Sequence, residues 1–168
     1  VRLVANDGKA QLIEDLRGIC DDDGPCGSYI EPGVGGRTAY PLRVQTGCEE
    51  SCAFCVIPST RGPSRSRLLS DVLADVDRLA AAGYKELWLV GVHLGSYGRD
   101  LAPSSSCVDL LRALDTSPGD VTFRISSIEP MDCRPEVVDL LEKSGRFAPH
   151  LHLPLQHGSD RVLSAMRR

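Results

Sequence analysis

The chain has 168 residues, 42% of them hydrophobic and 25% charged, with a net charge of −4. This is an ordinary globular composition with enough length for one core, but too short for a complete eight-unit barrel of about 250 residues. The acidic balance argues against a nucleic-acid grip by charge within this segment, without excluding an RNA substrate held elsewhere. There is no signal peptide and no apolar run of spanning length, so no membrane partner is expected.

In chain order, Arg2–Ala5 is a short strand-like run, and Lys9–Leu16 suits two helical turns with Leu12, Ile13 and Leu16 on one face. Residues 18–36 read as a glycine-rich loop with an acidic run at 21–23, and Cys20 and Cys26 within it read as free thiols. Gly33, Gly35 and Gly36 echo a phosphate loop only weakly, since no strand precedes them and no helix follows. Leu42–Gln45 is expected to be a strand. Ser70 is the expected N-cap of a helix in which Leu69, Val72, Leu73, Val76, Leu79 and Ala80 share one face, ended by Gly83. Strands follow at Glu86–Val90, Val121–Ser126 and His150–Leu153, and helices at Val108–Leu114, from Pro135 to Lys143, and after a cap at Ser159. Four strand–helix units in succession predict an α/β fold with a parallel sheet. The polar clusters each follow a strand, at the edge where such sheets bind ligands. One composite site is expected there, built from the loops at residues 48–55, 91–98, 127–129 and 156–157.

The chemistry concentrates in the first of these loops. Cys48, Cys52 and Cys55 form a C-x-x-x-C-x-x-C triad directly after a strand. Three thiolates hold three corners of a four-iron, four-sulfur cluster and leave the fourth iron open to a non-protein ligand. Phe54 sets an aromatic ring beside that position, where a purine can stack. A zinc site would need a second cysteine pair or a regularly spaced histidine pair, and His93, His150, His152 and His157 lie far off in sequence. A thioredoxin-like pair would leave Cys48 without a role. The cluster is the reading that uses all three, and it requires a reducing compartment, here the cytoplasm.

The triad with Phe54 resembles the signature of the radical S-adenosylmethionine (SAM) enzymes. With Ile57-Pro58, Arg61-Gly62, Ser66-Arg67, the 91–98 segment Gly-Val-His-Leu-Gly-Ser-Tyr-Gly, Ser126-Ser127-Ile128-Glu129-Pro130 and the 152–159 block, it resembles the tRNA methylthiotransferases. The 91–98 segment is most similar to the branch acting on threonylcarbamoyladenosine beside the anticodon. The resemblance implies a partial (β/α) radical SAM barrel of about four units over 40–168, incomplete at its C-terminus. Residues 1–39 would be the remnant of an N-terminal domain and linker.

By that resemblance Cys48, Cys52 and Cys55 are the metal ligands and the catalytic centre. The cluster reduces SAM to methionine and a 5′-deoxyadenosyl radical, which takes hydrogen from C2 of the base before a methylthio group is installed. Gly91, Val92 and His93 would face the SAM amino group, and Ser127, Glu129 and Gln156 the ribose or adenine. Arg61, Arg65 and Arg67 would be a basic run for a carboxylate or RNA phosphate, or else a solvated face. The implied partners are a tRNA and an electron donor. A second, auxiliary 4Fe–4S cluster belongs to the family's N-terminal domain, whose cysteine pattern Cys20 and Cys26 do not match. Another radical SAM reaction and a passive metal-binding module are the alternatives.

Overall fold

A computed structural model describes Pro32 and residues 38–168. The readings at Arg2–Ala5, Lys9–Leu16, Cys20, Cys26 and Gly33–Gly36 lie outside the described residues.

Three parallel strands carry the fold. They are β1 (Ala39–Arg43), β4 (Glu86–Val90) and β5 (Thr122–Ile125), in the order β1-β4-β5. Between β1 and β4 the chain inserts a small antiparallel pair, β2 (Gln45–Thr46) with β3 (Arg65–Ser66), around the short helix α1 (Ile57–Arg61). The crossovers are α2 (Leu69–Ala81) into β4 and α3 (Cys107–Asp115) into β5; α4 (Pro135–Lys143) and α5 (Asp160–Met166) follow.

Period-two alternation decides which side is dry. Tyr40 and Leu42 align with Leu87 and Leu89, and these with Phe123 and Ile125, so one face is apolar across all three strands. It belongs to one core with Val72, Val76 and Leu79 of α2 and Leu110, Leu111 and Leu114 of α3. The opposite face carries Pro41, Trp88 and Arg124 in register. There Arg124 bonds Glu86 and lies 5.9 Å from the Trp88 ring centroid.

Two expectations need correction. The helix expected from an N-cap at Ser70 starts earlier, after Leu68, which is extended at φ −59°, ψ 141°. The Arg67 N–H is already bonded to the Val44 carbonyl (2.9 Å), so the chain leaves β3 directly into the helix. Gly83 ends it as expected, at φ +96°. The fourth strand does not form at His150–Leu153. The chain joins the sheet earlier, as a parallel bridge between Phe147 and Phe123, with Phe123 donating to Arg146 (2.7 Å) and Ala148 donating to Phe123 (2.8 Å). In that register the next ladder donor is the His150 N–H, which turns instead to the Ala148 carbonyl (2.7 Å) across Pro149, leaving Ile128 N–H to His152 O (3.2 Å) to continue the approach.

Candidate metal and cofactor site

The site begins with a buried amide. Gln45 is 1% exposed at the start of β2. Its Nε2 group donates to the carbonyls of Thr46 (3.0 Å) and Gly47 (2.8 Å) and to Ser64 Oγ (2.8 Å). Its Oε1 accepts the backbone N–H of His93 at 3.0 Å. One side chain thus ties the entry of the cysteine loop to the loop after β4. Gly47 makes the turn possible: at φ +71°, a Cβ would fall 1.9 Å from the Pro63 carbonyl oxygen.

The three cysteines follow. Cys48 N–H donates to Gly62 O (3.1 Å) and Cys55 N–H to Cys52 O (3.1 Å), while Ala53 N–H reaches Met166 O of α5 (3.0 Å). Cys48 and Cys52 are partly buried and Cys55 is exposed. The Glu50 N–H points at Cys48 Sγ from 3.4 Å. Burial raises the Cys48 thiol pKa; the Glu50 N–H offsets part of this, and the charges of Glu50, Cys52 and Cys55 push it further up. Among the described residues no three His, Cys, Asp or Glu side chains close on a single metal ion. A single-ion zinc site therefore has no donor set among them, whereas a four-iron cluster takes each thiolate on a separate iron. Three free thiols on one loop, one already accepting an amide hydrogen bond, fit such a cluster.

Around this loop, Glu129 carries an ion pair to Arg168, with both side chains largely buried. Arg168 has its charged form favoured first by Glu129 and, to a smaller extent, by the neighbouring Cys52. Ser127 Oγ is hydrogen-bonded to His152 Nδ1 (2.7 Å). Gly91 and Val92 are partly exposed at the end of β4, and His93 is buried. Its Nε2 lies 2.8 Å from Asp132 Oδ2, and its Nδ1 3.9 Å from Cys48 Sγ and 3.8 Å from Glu50 Oε1. Phe54 is 53% exposed beside Cys55. Gln156 is partly exposed, with no hydrogen-bond partner among the described residues.

The structure therefore brings Cys48, Cys52, His93 and Glu129 into one connected region, to which Gln156 makes no hydrogen bond among the described residues. Arg67 is committed elsewhere, to Asp75 at 2.7 Å, and Arg65 reaches the Arg61 carbonyl (3.3 Å), so the basic run is partly structural. Gln45, Asp132 and Arg168 were not foreseen. Only Gln45 had a signal, as a polar residue closing an apolar strand.

Residues 42–168 match the family model of the Radical SAM superfamily. This chain belongs to the radical SAM superfamily. Within that superfamily, the chain is 43% identical to the threonylcarbamoyladenosine tRNA methylthiotransferase MtaB of Bacillus subtilis (strain 168), over 82% of this chain and 30% of the relative. It is 37% identical to the tRNA-2-methylthio-N(6)-dimethylallyladenosine synthase of Chlorobium phaeobacteroides (strain BS1), over 99% of this chain and 36% of the relative. A ribosomal protein uS12 methylthiotransferase is also among its relatives. The chain thus spans about a third of the length of the relatives it matches. In fold, this radical SAM chain is similar to the solved radical SAM methyltransferase TsrM of Kitasatospora setae, with a TM-score of 0.61 at 20% identity, over 77% of this chain and 23% of that one.

Proposed function

We propose that this chain is the cofactor-binding core of a radical SAM methylthiotransferase that acts on a tRNA base. The observation that carries the reading is the loop holding Cys48, Cys52 and Cys55 at the C-terminal edge of the parallel strands, together with the likeness to methylthiotransferases. A 4Fe–4S cluster held there supplies one electron to SAM and so starts radical chemistry at the substrate.

The protein's part is to hold, orient and exclude. The three thiolates hold the cluster, and the Glu50 N–H donates to Cys48 Sγ. Arg168, beside Cys52 and Glu129, offers a guanidinium suited to the carboxylate of SAM. The 91–93 turn supplies backbone groups for the amino end, Ser127, Glu129 and Gln156 supply partners for hydroxyls or the base, and Phe54 supplies a ring for stacking. The substrate position is C2 of threonylcarbamoyladenosine beside the tRNA anticodon. An auxiliary cluster in the family's N-terminal domain and an electron donor would supply the remaining sulfur and electron chemistry, in a reducing cytoplasm. Among the described residues no helix is long and apolar enough to cross a membrane.

The test is anaerobic reconstitution with iron and sulfide, followed by SAM and a chemical reductant. The native chain is expected to form 5′-deoxyadenosine, and Cys52→Ala to form none, because two thiolates do not retain the cluster. Deoxyadenosine formation by the variant would overturn the assignment. Product analysis with anticodon stem-loops, with and without threonylcarbamoyl on the adenosine, against ribosomal protein as the rival substrate, tests the substrate reading.

A further inference from the structure

We propose that Asp132 is a positioning residue for the cluster corner at Cys48, acting through the His93 ring. The inference rests on the reading of Cys48 as a cluster ligand. His93 is 8% exposed, and buried polar rings are held by defined partners. Its backbone is fixed by Gln45, so the ring orientation is decided by what its two nitrogens meet. Nε2 meets Asp132 Oδ2 at 2.8 Å. An ionised carboxylate only accepts, so this bond places a hydrogen on Nε2 and fixes the plane of the ring. The edge left over carries Nδ1, an acceptor in this tautomer, which lies 3.9 Å from Cys48 Sγ and 3.8 Å from Glu50 Oε1. Asp132 is itself held: Arg99 Nη2 donates to Oδ1 at 3.1 Å, and the Asp132 N–H donates to the Glu129 carbonyl at 2.9 Å.

The turn after His93 is shaped around that carboxylate. A Cβ at Gly95 would lie 2.2 Å from both Cγ and Oδ2 of Asp132. Asp132 is thus packed against the turn that carries His93, and its side chain is only 9% exposed. Outer carboxylates that orient a metal-ligating histidine change metal affinity by about ten- to a hundredfold when removed. Here the oriented histidine touches a thiolate ligand instead of binding metal, so the effect is expected at the low end of that range. With its hydrogen on Nε2 the ring donates nothing to Cys48 Sγ, so the expected change in reduction potential comes from removing the Asp132 charge close to the cluster.

The experiment compares the full chain with Asp132→Asn, which is nearly isosteric, after anaerobic loading with iron and sulfide. The half-life of the cluster against an iron chelator is expected to fall about tenfold in the variant. The midpoint potential is expected to move. In the cluster-free protein, the 15N spectrum of the His93 ring is expected to show one Nε2–H tautomer natively and a mixture in the variant, which a merely structural role would not produce. Arg99→Gln removes the outer contact to Asp132 together with a 3.3 Å bond to the Gly95 carbonyl, at a side chain that is 56% exposed, and is expected to show a smaller loss in the same direction. It carries the test if Asp132→Asn does not fold. A loaded native cluster whose half-life and His93 spectrum are unchanged by these variants overturns this inference alone. A native chain that takes up no cluster overturns it together with the reading on which it rests.

Discussion

Two glycines flanking the cysteine loop separate crowding from backbone strain. Gly47 and Gly62 both hold positive φ, +71° and +74°. Around Gly62 a Cβ would meet nothing within 4 Å, whereas at Gly47 it would fall 1.9 Å from Pro63 O, 2.7 Å from Pro63 C and 2.8 Å from Gly62 O. Gly62→Ala therefore meets only conformational strain, about 1–3 kcal/mol. Gly47→Ala meets left-handed strain of about 1–2 kcal/mol and overpacking of about 1–3 kcal/mol. Because the obstructing atoms are backbone, the crossing must open. That breaks the Cys48 N–H to Gly62 O bond of 3.1 Å, a further loss of about 1 kcal/mol. The expected destabilisation is about 3–6 kcal/mol, or on the order of 10 °C or more in Tm for a chain of this size. Urea denaturation of the cluster-free chain, with the slope m checked for constancy, measures both variants. A Gly47→Ala variant no less stable than Gly62→Ala would refute the reasoning.

Other outcomes follow from single contacts. Gln45→Leu strands the His93 N–H and the Gly47 carbonyl in a buried place, for an expected loss of about 2–4 kcal/mol in the same denaturation assay; an unchanged midpoint would refute this. For Asp100, burial raises the carboxyl pKa, but the Ser66 Oγ–H and N–H bonds, at 2.6 and 2.7 Å, outweigh it and leave the pKa lowered. Its contribution is therefore complete above its ordinary pKa of 3.8 and is lost as pH falls through the lower folded value. Asp100→Asn is expected to flatten the acid side of the stability–pH curve, and an unchanged slope contradicts the link. The Cys107 thiol is 6% exposed and pushed up to about 12 by burial, then by the charge of Asp132. In the native cluster-free chain near pH 8, iodoacetamide is expected to label Cys55 promptly and Cys107 only after unfolding, as followed by mass spectrometry; equal rates would refute it.

Local patterns were legible wherever a short run was plainly bounded. Glu86–Val90 is a near-continuous apolar run before a glycine, and Pro135–Lys143 opens on a proline suited to a first turn; both elements form as read. Ser70 misled because a good capping residue says nothing of where the preceding chain is pinned, and here Arg67 is pinned to Val44. His150–Leu153 had a strand-like appearance, yet the His150 N–H is turned to the Ala148 carbonyl across Pro149 and the pairing moves back to Phe147. The cysteine triad was visible because its ligands are close in sequence. The His93–Asp132 and Glu129–Arg168 pairs span 39 residues each and join different loops, so no local pattern announced them.

The central claim is that three thiolates hold a cluster with one iron open to SAM. Electron paramagnetic resonance of the anaerobically reconstituted, reduced chain tests this most directly. A reduced 4Fe–4S signal whose g values shift when SAM is added is expected, with no such signal in Cys52→Ala. A signal indifferent to SAM, or a colourless chain holding stoichiometric zinc, would contradict it.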